Sequence, residues 1–191
     1  MLALDCTKEV LRQAKELGAQ LIITHHPIIF HPIKRVNEDS LVYHLLRSDI
    51  AVISAHTNLD IAQGGVNDLL AKRIGLSDCR GLQTMDAQGT FFLGRIGSLP
   101  EGMEPQQFAQ YLKQRLGAPS VKFAAADRTG KTVALCGGAE YLAAAAAGIS
   151  IFDAGHFDTE DVVIEPLWEY LTKQFADVEF FTTHHTVIRA V

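Results

Sequence analysis

Short apolar runs alternate with longer amphipathic stretches along the first 76 residues. LALD (2–5) reads as a strand, and TKEVLRQAKELG (7–18) as a helix with Thr7 at its N-cap and Gly18 just past its end. AQLIIT (19–24) and IAVISA (50–55) read as buried strands, with a helix between them in EDSLVYHLLRSD (38–49). After a glycine turn, GGVNDLLAKRIGL (64–76) predicts a third helix. Strand, helix, strand, helix, strand is the order of parallel βαβ units. Sheets of that kind bind their ligands just beyond the carboxyl ends of their strands.

The middle of the chain is less regular. TFFLGRIG (90–97), VKFAAA (121–126) and KTVALC (131–136) are strand-like, PEGMEPQQFAQYLKQRLG (100–117) contains a helix, and a DRTG turn (127–130) joins the last two strands. Further on, YLAAAAAG (141–148) predicts a short alanine helix and ISIFDAG (149–155) a strand. DTEDVVIEPLWEYLTKQF (158–175) follows as one helix and VEFFTT (178–183) as the last clear strand. The expected fold class is α/β: a mixed, largely parallel sheet flanked by helices, built from residues 1–76 with 131–191. A smaller α+β segment occupies 77–130, with the seam between lobes at 77–90.

Composition narrows the function classes. A chain of 191 residues, 48% of them hydrophobic, can bury a sizeable core. A net charge of −5 counts against a general nucleic-acid binder, which shows a basic footprint. No apolar run approaches the ~20 residues of a membrane helix. The opening MLALDCTKEV has an acid at position 5 and no basic n-region, so it does not read as a signal peptide. Cys6, Cys79 and Cys136 form no CxxC pair and fit a reducing cytoplasm better than a disulfide framework.

Three strand ends carry the candidate chemistry. His25-His26 follows AQLIIT, and the pair suits either metal ligation or ordinary hydrogen bonding. AHTNLD (55–60) brings His56 and Asp60 to the end of IAVIS, where the bland alternative is turn and cap chemistry. GHFDTE (155–160) sets His156 and Glu160 four apart, on one side of a helix start. Taken together, the imidazoles of His25, His26 and His156 and the carboxylates of Asp60 and Glu160 suit a borderline divalent metal such as Zn, Mn, Fe, Co or Ni. Five ligands exceed what one catalytic zinc takes, so two metals sharing a carboxylate and a water is the more economical reading. His56 is then the candidate general acid/base, since imidazole titrates near working pH. GGVND (64–68) admits two readings, a tight turn or backbone amides offered to a phosphate.

LALDCT, LIITHHPIIF, ISAHTNLDIAQGGVND, LGRIG and DAGHFDTE, in that order, resemble the GTP cyclohydrolase 1 type 2 homologues, a family of toroidal dinuclear-metal-centre proteins. The resemblance implies that His25, His26, Asp60, His156 and Glu160 hold two divalent metals, with the glutamate bridging. It also implies a two-lobed subunit, a homohexameric ring and a small-molecule substrate, possibly GTP. A metal-delivery scaffold and a metal-dependent phosphoesterase are the rival functions. Against the family pattern, the chain starts at what corresponds to a second strand. About two dozen residues are missing between CGGAE (136–140) and YLAAAAAGIS (141–150). A second pair, His184-His185, falls where no ligand is expected, and its role stays open.

Overall fold

Thr7 starts the first helix as a capping residue should: its hydroxyl accepts the main-chain N–H of Val10 at 3.2 Å. The structure, a computed structural model, describes residues 1–126, 128–137 and 149–186. The first elements are β1 (Leu2–Ala3), α1 (Lys8–Glu16), β2 (Leu21–Thr24), α2 (Leu41–Arg47), β3 (Ala51–Ser54) and α3 (Thr57–Ile61). Next come α4 (Val66–Ile74), β4 (Ser77–Thr84), β5 (Phe92–Met103), α5 (Pro105–Leu116), β6 (Lys122–Ala124) and β7 (Gly130–Leu135). The last are β8 (Ile151–Asp153), α6 (His156–Glu160), a 3-10 turn at Asp161–Val163, α7 (Ile164–Gln174) and β9 (Thr182–Thr183).

The chain divides into two units. Met1–Leu59 and the described residues from Ile164 onward form the first, and Asp60–Val163 the second. In the first, four strands form one all-parallel sheet in the order β3-β2-β1-β9. The βαβ reading is therefore realised. Its core is Met1, Ala3, Val10, Leu11, Ala14, Ile22, Leu45 and Ile50, one face of α1 packed on β1 and β2. The second unit holds an antiparallel sheet, β4-β5-β7, and an antiparallel pair, β6-β8. Leu70, Ala71 and Ile74 of α4 join Leu99, Phe108, Leu112, Leu135 and Val162 in its core.

Several expectations need correction. IAVISA was expected to be a buried strand; β3 is an edge strand with Ile53 56% exposed. An apolar run shows β propensity but not whether a neighbour covers both sides. The helix expected over 158–175 is broken into α6, a 3-10 turn and α7. Pro166 lies in the first turn of α7, where its ring clashes with the carbonyl four residues back and prevents one continuous helix. After IAVIS, Thr57–Ile61 of the AHTNLD stretch forms a helical turn. Residues 178–183 reduce to a two-residue strand. Ser77–Thr84, to which the sequence assigns no strand, is strand β4. The alanine helix expected at 141–148 lies outside the described residues.

Candidate metal centre

In the first unit, the ends of β2 and β3 carry the histidines. The main-chain N–H groups of His25 and His26 both donate to the carbonyl of Leu4, at 3.2 and 3.0 Å, which pins the pair to the end of β1. Buried Thr24 donates its hydroxyl to the His26 carbonyl at 2.8 Å and accepts from Ser54 Oγ at 2.9 Å. His25 is 2% exposed, and its Nδ1 lies 2.8 Å from the Ala55 carbonyl. A carbonyl only accepts, so Nδ1 carries the proton and the Nε2 lone pair is the donor a metal would use. His26 Nδ1 meets Asp5 Oδ1 at 2.7 Å, and the same logic presents its Nε2. The His56 ring stands 5.2 Å from that of His25 and 5.8 Å from that of His26. One ring nitrogen from each of the three falls within 4.8 Å of the others, a spacing that can hold an ion.

In the second unit, a positive φ of 89° at Gly155 turns the chain from β8 into α6, a conformation that favours glycine. The one-turn helix then stacks His156 over Glu160, with Nε2 to Oε2 at 2.9 Å, as the spacing of four requires. Glu160 is 3% exposed and Asp60 9%. Burying ionised carboxylates is costly unless a cation or donors compensate, and a metal ion is such a cation. Both lie close enough to Cys136 to act on it: burial first, then the charges of Asp60 and Glu160, push its thiol above the ordinary range. Cys6 is pushed up to about 11 by burial and then by Asp5. Neither thiol is a ready thiolate at neutral pH. A cleft of about 960 Å³ within this unit has apolar walls that include Leu70, Ile74, Phe108 and Leu112, and it reaches Cys136, His156 and Thr159.

The model of the Duf34/NIF3 (NGG1p interacting factor 3) family matches residues 1–141 and 139–188. The chain belongs to this family. Among Duf34/NIF3 relatives, it is 29% identical over 213 aligned positions to a GTP cyclohydrolase 1 type 2 homolog of Clostridium perfringens. That match covers 96% of this chain and 81% of the relative. The alignment is longer than the chain itself, so the relative carries residues that this chain lacks. A like-named protein of Halalkalibacterium halodurans is 48% identical over 80 residues, 40% of this chain and only 22% of the relative. The chain thus spans from about a fifth to four fifths of the curated relatives it matches. The solved structure of a Bacillus cereus protein related to NIF3 superposes with a TM-score of 0.90 at 21% identity, over 100% of this chain and 88% of that one. This likeness shows the fold.

Beyond the expected set, the structure brings in residues that the sequence reading left aside. His56 was reserved for proton transfer, yet it stands in the cluster with His25 and His26. His31 is stacked edge-on against Phe30 at 5.0 Å. His184 and His185 engage Glu165, at 3.1 Å, and Thr7, at 3.3 Å, within the first unit. Asn67 was missed. It shares its helix face with Leu70, Ala71 and Ile74, all buried. A polar amide at the head of that apolar stripe was the available signal.

Proposed function

We propose that the protein is a dinuclear-metal hydrolase of the cyclohydrolase type, acting on a purine nucleotide or a related heterocycle. His25 and His26, with Asp60, His156 and Glu160, would hold two divalent ions (Zn, Mn, Fe, Co or Ni), Glu160 serving both. The observation that carries the reading is the fixed tautomer of His25 and His26, whose Nδ1 protons are engaged by the Ala55 carbonyl and by Asp5. Metal-binding histidines are oriented in just this way in general. When bound, paired divalent ions supply a water acidic enough to furnish hydroxide near neutral pH. His56 would accept or return a proton at a ring nitrogen. The 960 Å³ cleft reaching His156 and Thr159 gives a heterocycle room beside the ligands and favours catalysis over simple carriage. With GTP as substrate, one water adds to C8 of guanine and the C8–N9 bond breaks to leave a formamide, and a second water cleaves the C8–N7 bond so that C8 leaves as formate.

Ile29, Phe30, Leu46 and Ile53 of the first unit are each at least half exposed, and they favour a second reading, a metal-carrying scaffold for protein partners. The same side chains suit contacts between copies of this chain in a homohexamer, working in the cytoplasm. Among the described residues, no helix is long and apolar enough to cross a membrane. The deciding experiment incubates metal-loaded protein with a panel of nucleotides and follows formate and phosphate release. Formate from GTP is the expected result. Phosphate without formate would select the phosphoesterase, and a metal-loaded protein that releases neither would select the scaffold.

A further inference from the structure

Asn67, the second residue of α4, is fully buried. Its Nδ2 donates to the main-chain carbonyl of Asp60 at 3.0 Å, and its Oδ1 accepts the main-chain N–H of Gly137 at 3.0 Å. One side chain thus clamps two segments that lie 77 residues apart in sequence, Asp60 in α3 and Gly137 after β7. A primary amide is suited to this, because it presents a donor and an acceptor from the same planar group. A hydrophobic residue would leave both main-chain groups without this partner, and glutamine is one methylene too long for the same two distances. Gly137 in turn backs Glu160: a Cβ added there would lie 3.1 Å from Glu160 Cγ and 3.1 Å from Val66 Cγ1. Setting the Gly137 backbone therefore sets the wall against which Glu160 rests. The start of α4 is itself held, since Asp68 accepts the Gly64 N–H at 2.7 Å and pairs with buried Arg95.

We propose that Asn67 is a positioning residue of the metal centre, holding Asp60 through its carbonyl and Glu160 through Gly137. This rests on the reading of Asp60 and Glu160 as metal ligands. It assigns a role to the asparagine of the GGVND stretch that neither the turn reading nor the phosphate reading gives it. Asn67 touches no reacting atom; it acts only through the two carboxylates.

Cobalt(II) is the probe, because its visible absorption reports the geometry of the ligands as well as occupancy. The apo protein, Asn67→Ala, Gly137→Ala and Ile74→Val are titrated with Co²⁺ at pH 7, and the urea midpoint of each apo form is measured alongside. Ile74 lies on the same helix, in the core cluster that excludes the carboxylates, and is the control for stability alone. Asn67→Ala should bind Co²⁺ about 10–100-fold more weakly, the range for losing a group that orients a ligand, with altered absorption bands. Gly137→Ala should shift the bands in the same way, and it carries the test if Asn67→Ala does not fold. Ile74→Val should lower the urea midpoint and leave affinity and spectrum unchanged. Wild-type affinity and spectrum in Asn67→Ala, or in Gly137→Ala where that variant carries the test, would overturn the proposal. So would an equal loss of affinity in Ile74→Val. A wild type that binds no Co²⁺ would instead overturn the metal reading on which the proposal rests.

Discussion

The two units of the chain hold their candidate ligands by different means. In the first, imidazoles sit at strand ends and are each oriented by one hydrogen bond that Nδ1 donates, to a main-chain carbonyl in His25 and to the Asp5 carboxylate in His26. In the second, carboxylates sit on one-turn helices, are buried, and are kept in place by a neutral amide and a close-packed glycine. The difference follows from the ligands' own chemistry. A neutral imidazole must have its tautomer chosen before it can ligate, and one acceptor does that. A carboxylate has no tautomer to choose. Its requirement is a fixed position, which a neutral clamp on the neighbouring backbone provides. Orientation is the task in the first unit, and placement is the task in the second.

Substitutions sharpen this contrast. The largest effect should come from Glu160→Gln, which keeps the volume and removes the shared anionic ligand. Metal content by mass spectrometry should fall well below that of the wild type and activity should drop to background, while circular dichroism stays unchanged. Next is His56→Ala. If His56 moves protons and does not ligate, turnover falls by ~10²–10⁴-fold with metal content preserved. Loss of metal together with activity would place His56 among the ligands, where the cluster of three histidines also allows it.

Asp5→Asn probes orientation in the first unit. It removes the anionic acceptor on His26 Nδ1 and should weaken metal binding about 10–100-fold, read by competition with a chromophoric chelator. An effect much smaller than that of Asn67→Ala would show that placement matters more than orientation. The smallest effect lies away from the ligands. Hydrogen bonds from Arg12 and Gln13 hold the Glu9 carboxyl at about 2, below its ordinary 4.5. A depressed acid contributes stability that is present above pH 4.5 and is lost as the pH falls through 2. Glu9 is only partly buried at the surface, so Glu9→Gln should flatten only slightly the acid limb of a melting-temperature profile taken from pH 5 to pH 2, and metal binding at pH 7 should be untouched.

Much of the parallel sheet was legible in the sequence because its elements repeat a simple rule. Apolar runs of four to six residues are separated by helices with Thr7 and Ser40 at their caps and Gly18 beyond the first. His156 and Glu160 were legible as a pair because a spacing of four fixes their relation on any helical turn. Burial of β3 was not legible, since Ile53 contributes the same apolar signal at an edge as in a sheet interior. Nor was the break before α7, where Pro166 competes with an otherwise continuous helical pattern. Asn67 was hidden for another reason. Its partners, Asp60 and Gly137, are main-chain groups distant in sequence, and local periodicity carries no record of them.

The central claim is that five residues, His25, His26, Asp60, His156 and Glu160, hold two metal ions. Anomalous diffraction from crystals of the metal-reconstituted protein, recorded at the absorption edge of the added metal, tests it most directly. The account predicts two anomalous peaks per chain, with side-chain nitrogens of the histidines and oxygens of Asp60 and Glu160 at ligand distances of ~2.0–2.2 Å, and Glu160 touching both. No peak at these residues in protein shown to be metal-loaded, or peaks ligated elsewhere, would contradict it.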